Sequence, residues 1–349
     1  MSDNPNEAEK EMKKPIIISE NGWRAVFNLL PPSQLGLQIA LISPRFDAWV
    51  DEHFMARKWA LGFIVIGCKN GENGAKEMKI TNLFGHELPI PQIQVPFKVS
   101  GFRCIHIFYI DPNVITFIRR FLPLFAACPI NFTIDSKNER ILMSFLRNIW
   151  PMLGKNIIGI MISKQMLRRL RKLAPSILNN CPSLRFVSIE SVGHFFAEFP
   201  CDDGAMAWAG QAVAKWLFDA RPDNVPKVLI CSFNKNERTW ELSISEFKAN
   251  FDNASSPANF IVVVWFQLAF APSILPFDQT NELTREQLSL KSTDNICRFV
   301  LTRSPIGRDE SKWIKWVEEA IDWQISKQWQ RINFGINNEE DVVGDGLLD

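Results

Sequence analysis

Three short apolar segments follow a polar start, and their spacing predicts helices. Residues 1–15 are polar and charged and are predicted to be a disordered tail. Ser19 can cap a first helix, in which apolar residues recur every three or four positions: Trp23, Val26, Phe27 and Leu30. Two further apolar stretches, 35–42 and 46–58, predict a second and a third helix. Residues 16–58 are therefore predicted to form a small helical domain.

The next part of the chain alternates strand-like and helix-like segments. Two alternating segments near 61–67 and 77–83 predict a hairpin. Beyond it, strand-like runs begin at residues 102, 130, 157 and 184, with amphipathic helices between them, so the intervals are 28, 27 and 27 residues. Such a period is typical of an α/β solenoid of leucine-rich-repeat type. The segment 178–189 also carries the Asn-Cys-Pro-x-Leu flavour of such a repeat.

After residue 204 the regular period loosens. A helix is predicted over 205–218 and a buried strand over 228–233. Period-two alternation then predicts further strands, which would continue the repeat sheet as an antiparallel one: 239–244, 260–267, 288–292 and 296–302. A long helix is predicted from Asp309 to about Trp329, followed by an acidic tail over 336–349.

These elements together predict a protein of the α/β class. A three-helix domain comes first, and a leucine-rich-repeat-like α/β domain over 59–335 follows, with a mixed sheet and a long C-terminal helix. With 349 residues, of which 46% are hydrophobic and 22% charged, the chain can bury a sizeable core. A mostly disordered chain is excluded by the same composition.

The net charge and the spacing of the cysteines limit which partners and which cellular compartment the sequence predicts. Lys and Arg total 39 and Asp and Glu total 38, so a net charge of +1 gives no reason to expect nucleic acid or a membrane surface. The seven cysteines are widely spaced and lack a Cys-x-x-Cys pair, which argues against a disulfide scaffold or a zinc ribbon. The first residues lack a secretory signal pattern. A cytoplasmic or nuclear location is therefore predicted.

One stretch, residues 260–277, is apolar enough to raise the question of a membrane span. It has 18 residues, and Gln267, Pro272 and Pro276 interrupt it. A spanning helix needs about 20 apolar residues. The β-branched run 261–264 instead predicts a strand that is buried on both faces. No membrane partner is expected.

Patterns for catalysis or metal binding are scarce. The four histidines form no His-x-x-x-His pair, and no metal or cofactor site is predicted. His194 and Cys201, seven residues apart, keep a Cys–His hydrolase as a third alternative, although no orienting group is apparent in the sequence. The sequence therefore predicts a protein that is not an enzyme.

Two further patterns have a structural explanation beside a functional one. A predicted helix over 164–179 carries a basic cluster that could contact phosphates or an acidic partner: Lys164, Arg168, Arg169, Arg171 and Lys172. The near-zero net charge favours a solvated helix face instead. The helical spacing of Trp313, Trp316 and Trp323 favours core packing over a recognition surface.

The helical domain of residues 16–58 is the strongest functional candidate. Its helices carry apolar residues on nearly every side, which is more apolar surface than so small a unit can bury. Two interpretations have equal support at this point. In the first, the helices dock on the following domain as a structural cap. In the second, they bind a partner.

The same residues resemble an F-box. The family pattern has a short acidic start, an apolar helix that ends in Leu-Pro-Pro, a further Leu, a small apolar helix, and an Arg followed by an aromatic residue. Here the pattern spans Ser19 to Phe46, with Leu30-Pro31-Pro32, then Leu35, then Arg45-Phe46. Five later segments extend the resemblance, over nearly the full length, to an expanded nematode family of F-box-like proteins: 46–62, 198–204, 214–217, 226–229 and 308–313.

This resemblance implies a substrate-recognition subunit of an SCF-type E3 ubiquitin ligase. In that family the F-box binds a Skp-type adaptor, which joins the cullin complex, and the C-terminal domain binds an unknown protein target. The residues expected to face the adaptor are then Ile18, Val26, Phe27, Leu30, Pro31, Leu35 and Ile39. The alternative is a protein-interaction scaffold unconnected to ubiquitin, in which the N-terminal helices are only a cap.

Overall fold

The computed structural model describes most of the chain. The described residues are 18–31, 34–55, 59–70, 76–88, 99–190, 195–233, 237–266, 275–293 and 297–336. The predicted disordered tail (1–15) lies outside these ranges, and so does the predicted acidic tail except for Ile336.

The described helices and strands follow one another in a largely alternating order. The helices are α1 (Glu20–Phe27), a π-helix (Leu35–Ile39), α2 (Pro44–Met55), α3 (Pro112–Arg120), α4 (Leu122–Ala127), α5 (Glu139–Asn148), α6 (Trp150–Leu153), α7 (Lys164–Leu173), α8 (Ala209–Phe218), α9 (Glu237–Asp252) and α10 (Glu310–Asp322), with 3-10 turns at Gly154–Asn156 and Ile325–Lys327. The strands are β1 (Trp59–Asn70), β2 (Lys76–Thr81), β3 (Glu87–Leu88), β4 (Val99–Ile107), β5 (Ile130–Ser136), β6 (Ile157–Ser163), β7 (Phe186–Glu190), β8 (Lys227–Phe233), β9 (Phe260–Phe266), β10 (Phe277–Asn281), β11 (Glu286–Ser292), β12 (Arg298–Pro305) and β13 (Arg331–Ile336).

All the described strands join one mixed sheet, which confirms the α/β class. Their order is β10-β11-β12-β9-β8-β7-β6-β5-β13-β4-β1-β2-β3. From β9 to β1 neighbouring strands are parallel. Both ends of the sheet are antiparallel, and the predicted hairpin of β1 and β2 is confirmed.

Alternate residues of the central strands face two separate cores. On β9, Val262 and Val264 belong to the larger core, whereas Ile261 and Val263 belong to the smaller one. Helices α3 to α9 cover the first face of the sheet, and α10 packs on the second. The predicted strand with two buried faces is therefore confirmed. Below, the second face is called the open face, because α10 is the one α-helix of the described residues that packs on it.

The tryptophans of the C-terminal helix belong to the core, as predicted. Trp313 and Trp323 are buried and Trp316 is half-buried against the same cluster. The Trp323 ring stacks on Phe186 with 5.2 Å between centroids. Trp323 directly follows α10 and Phe186 begins β7, so this stacking holds the end of the helix at the amino-terminal end of that strand.

The prediction of a strand over 239–244 was wrong. These residues lie in α9, where Trp240, Ile244, Phe247 and Phe251 are buried at helical spacing. The period-two prediction counted Leu242 as a buried position because it is apolar, but this residue is exposed. A short run of alternating apolar residues fits both periods, and the later buried positions decide for the helix.

The predicted C-terminal helix is too long. It ends at Asp322, and residues 331–336 form strand β13, which the sequence did not predict. β13 lies between β4 and β5 and is parallel to both. The regular succession of the predicted repeat is therefore interrupted, since β4 and β5 are not neighbours. Strands β5 to β9 are neighbours in chain order, and the leucine-rich-repeat character of this part stays a prediction.

Candidate functional site

The N-terminal helical unit, residues 18–55, has a core of its own. The Ser19 hydroxyl accepts the backbone N–H of Gly22 at 3.2 Å, so the predicted cap of α1 is present. Pro44 stands in the first turn of α2, where its missing N–H leaves no hydrogen bond unmade. The core side chains come from or directly adjoin the three helices: Phe27, Leu35, Ala40, Val50 and Phe54.

The structure divides the seven predicted adaptor-facing residues between core and surface. Phe27 and Leu35 have no exposed surface, so their expected place on a partner-facing surface is corrected. Phe27 packs edge-on to His53 of α2 with 5.7 Å between ring centroids, which gives it a structural role inside the unit. Ile18 and Pro31 are exposed, whereas Val26, Leu30 and Ile39 are half-buried, so for these five the adaptor-facing role stays a prediction.

Two strongly exposed apolar residues were missed by the sequence prediction. Leu29 is 83% exposed and Ile42 is 59% exposed. Each follows a helical segment by two or three positions, where the amphipathic pattern no longer directs side chains inward. With Ile18 and Leu41, also exposed, they leave this unit with apolar surface that its own core does not cover. Such surface is typical of interaction sites.

The helical unit also touches the sheet through its π-helix. Leu37 is buried in the larger core, although its neighbours Leu35 and Ala40 belong to the unit's own core. The Gln38 amide donates to the backbone carbonyl of Glu87, in β3, at 3.3 Å. A π-helix is rare in proteins, and here it places Leu35 and Leu37 in two different cores.

A second candidate site lies at the carboxyl ends of the parallel strands β6 to β9. Two adjoining pockets, of about 910 and 540 Å³, share Gln165 and Arg168. We call them together the carboxyl-edge groove. Ser163, Glu190 and Trp265 line the first pocket; Ser163 pairs with Glu190 across the ladder. Ligands of open α/β sheets usually bind at this edge.

The groove is rich in cations and exposed apolar groups. Lys164 and Arg168 line the first pocket. Arg168 also lines the second pocket, together with Arg169 and Lys172. Trp208 is 62% exposed and its ring centre lies 5.2 Å from the Arg168 guanidinium carbon. Met206, also in the second pocket, is 95% exposed. The groove can therefore offer charge and apolar contact side by side.

The predicted basic cluster does not act as one solvated face. Arg171 is buried and donates to the carbonyls of Gly204 (2.7 Å) and Ala207, so it fixes the loop before α8. Burial lowers the pKa of its guanidinium, with Asp202 and Asp203 opposing that shift. The solvated-face interpretation is therefore wrong for Arg171, and all five basic side chains of the cluster line the groove.

A cysteine, a histidine and an asparagine meet on the open face. Cys104 Sγ lies 3.3 Å from His106 Nε2, and Asn333 Nδ2 lies 3.4 Å from His106 Nδ1. The arrangement has the order of a nucleophile, a base and an orienting group. Cys104 has no exposed surface, however, and burial raises the pKa of its thiol to about 11. Neither property suits an attacking thiolate.

The Cys–His pair considered from sequence gains no support. Burial raises the pKa of the Cys201 thiol, and the nearby Lys215 offsets this only in part. His194 lies outside the described residues. Within the described part of the chain, no group of three or more metal-ligating side chains comes together.

Comparison with known proteins assigns no function to these surfaces. No protein-family model, no curated protein and no solved structure matches this chain. Among the described helices, none has the length and apolar content that crossing a membrane requires. The two surfaces and the sequence resemblance are therefore the observations from which function is argued.

Proposed function

We propose that this chain is a substrate-recognition subunit of an SCF-type E3 ubiquitin ligase. Its helical unit binds a Skp-type adaptor, which links it to the cullin complex, and its α/β domain binds the protein target. The chain acts as a receptor and does not itself catalyse ubiquitin transfer. The F-box resemblance of residues 16–58 motivates this assignment.

One observation carries the proposal. The helical unit completes a core of its own, yet it leaves Ile18, Leu29, Leu41 and Ile42 exposed. Apolar side chains displayed by small helices suit binding in which helices enter an apolar groove of the partner. A few such anchors commonly supply most of the binding energy.

Adaptor binding is expected to depend on the exposed apolar residues. Leu29→Lys and Ile42→Lys should each weaken binding of a purified Skp-type adaptor by roughly 30-fold, the size of one lost anchor. Leu29 lies just beyond the carboxyl end of α1, where a lysine is compatible with the helix dipole, and Ile42 is exposed, so a lysine there can remain in solvent. Isothermal titration calorimetry with the full chain measures the effect.

A matched control separates lost contact from lost folding. Leu283→Lys makes the same change at another exposed leucine, in the turn between β10 and β11. It should bind the adaptor as the wild type does, and all three variants should keep the wild-type circular dichroism. If the folded wild-type chain does not bind the adaptor, or the Leu29 and Ile42 variants bind normally, the proposal fails.

A structural cap is the second candidate function, and Leu37 favours it. This side chain joins the larger core, so the helical unit closes one part of the α/β domain. In that case the protein is an interaction scaffold unconnected to ubiquitin, and the α/β domain is its only functional surface.

A chain that begins at Trp59 distinguishes the two functions. If the protein is a ligase receptor, we expect the shortened chain to unfold cooperatively. Its free energy of unfolding should be lower by about 2 kcal/mol, which corresponds to the lost burial of one leucine. A structural cap requires instead that this chain has no cooperative unfolding transition. Thermal unfolding followed by circular dichroism gives the answer, with the full chain as the reference.

A further inference from the structure

The charge of the carboxyl-edge groove is not balanced by the residues that line it. Its described lining includes five basic side chains and a single acidic one, Glu190. Arg171 is held by backbone carbonyls. Among the described residues, Lys164, Arg168 and Lys172 have no ion-pair partner.

The surroundings strengthen the positive potential. Lys164 is the first residue of α7, and the first turn of that helix holds no acidic residue. The amino-terminal end of a helix already favours anions. An anion in the groove would therefore meet the amino-terminal end of α7 as well as the basic side chains that line the groove.

The apolar part of the groove selects among anionic ligands. Met206 and three alanines line the second pocket beside Trp208, so aliphatic groups of a ligand would be covered there. The Trp208 ring is engaged by Arg168 on one side. A nucleic acid would rely on many phosphate contacts and a basic field, whereas the chain as a whole has a net charge of only +1.

We propose that the carboxyl-edge groove binds an acidic peptide segment that carries aliphatic residues. Carboxylates of the peptide pair with Lys164, Arg168 and Lys172, and its aliphatic side chains pack on Met206 and Trp208. The occupant is a segment of a separate protein. This deepens the proposed function, because it rests on the α/β domain being the part that binds the target.

The test is direct binding of a peptide to the full chain, without adaptor. The probe is a fluorescein-labelled peptide in which leucines are spaced among glutamates, followed by fluorescence anisotropy. We expect saturable binding that weakens as salt rises. Arg168→Glu and Lys172→Glu should each weaken it at least about tenfold, as loss of a charge-assisted contact implies. Because no adaptor is present, failure of adaptor binding cannot affect this result.

Matched controls isolate the groove. Lys315→Glu makes the same charge reversal at an exposed position of α10, which packs on the other face of the sheet from α7, and it should bind normally. A probe with glutamine in place of glutamate should not bind. All variants should show the wild-type thermal unfolding transition.

Four outcomes would overturn the proposal. The first is absence of binding by the folded chain. The second is equal binding by the groove variants and the wild type. The third is tighter, equally variant-sensitive binding of an oligouridylate, which would make the groove a nucleic-acid site. The fourth is binding only by a chain that ends at Ile336, which would assign the groove to the acidic residues 337–349 of this same chain.

Discussion

A chain that ends at Gln328 is expected to have no cooperative folding transition. The deletion removes β13, which pairs with β4 over Arg331–Phe334 and with β5 over Arg331–Ile336. Without it, β4 and β5 lose the strand between them, and the sheet is divided into two parts. The buried backbone groups that faced β13 would then have no partner.

The side chains of β13 add to this loss. Ile332 and Phe334 are buried in the larger core, and the Phe334 ring lies 4.4 Å from that of Phe145. Removing a buried aliphatic or aromatic side chain costs about 2–5 kcal/mol each time. Two such losses approach the whole stability of a typical domain, about 5–15 kcal/mol.

Urea unfolding, followed by tryptophan fluorescence and circular dichroism, measures the effect. A chain that ends at Ile336 is the matched control, because it removes residues 337–349 and leaves every described contact of β13 in place. The stability of the Phe334→Ala variant should lie between those of the two shortened chains. We expect it to lose about 3–5 kcal/mol of unfolding free energy. A chain ending at Gln328 with a wild-type transition would contradict the central position of β13.

Arg303→Met is expected to destabilise the protein by about 3–5 kcal/mol. Arg303 and Glu286 are 0% and 1% exposed and form an ion pair at 2.6 Å between β12 and β11. Replacing the arginine leaves a buried carboxylate without its counter-charge, which is costly in a medium that solvates charge poorly. Chemical denaturation of the purified variant gives the difference in unfolding free energy.

The pair also fixes the connection that enters β9. Arg303 donates to the Ser256 carbonyl at 2.8 Å, and Glu286 accepts the Ala258 N–H at 2.8 Å. The guanidinium carbon lies 5.3 Å from the ring centre of Phe218 and 5.2 Å from that of Phe251. The ion pair therefore ties the antiparallel end of the sheet to the helices that cover it.

A double variant separates the charge effect from lost packing. Glu286→Gln with Arg303→Met removes both charges and keeps an acceptor for Ala258, so we expect it to be more stable than Arg303→Met alone. Lys69→Met, which removes an exposed ion pair with Glu87 in β3, should cost less than about 1 kcal/mol. If Arg303→Met costs no more than Lys69→Met, the pair is not a buried charge network.

Local periodicity was enough to predict most elements of this fold. The strands near 130, 157 and 228 and the helices between them follow from apolar spacing, since each pattern depends on residues within one or two turns of each other. The same holds for the helical unit, whose N-cap at Ser19 was predicted and is present.

The candidate site was predicted only in part, because side-chain direction depends on neighbouring elements. Phe27 belongs to the same apolar pattern as Leu30, and Leu35 begins the next one, but α2 covers Phe27 and Leu35 and leaves Leu29 exposed. In the basic cluster, Arg171 and Arg168 are alike in sequence. The loop before α8 buries the first, and the second faces the groove.

The residues alone determined the α/β class, the helical N-terminus and most of the strand–helix succession, because these depend on contacts between near neighbours in the chain. The tertiary structure decided the place of β13 between β4 and β5, the split of one apolar pattern between core and surface, and the groove at the carboxyl edge. These features depend on segments far apart in sequence that meet only on folding: Arg331 pairs with both Cys104 and Asn131. No local pattern encodes such a pairing, since its hydrogen bonds join strands that are distant from one another in the chain.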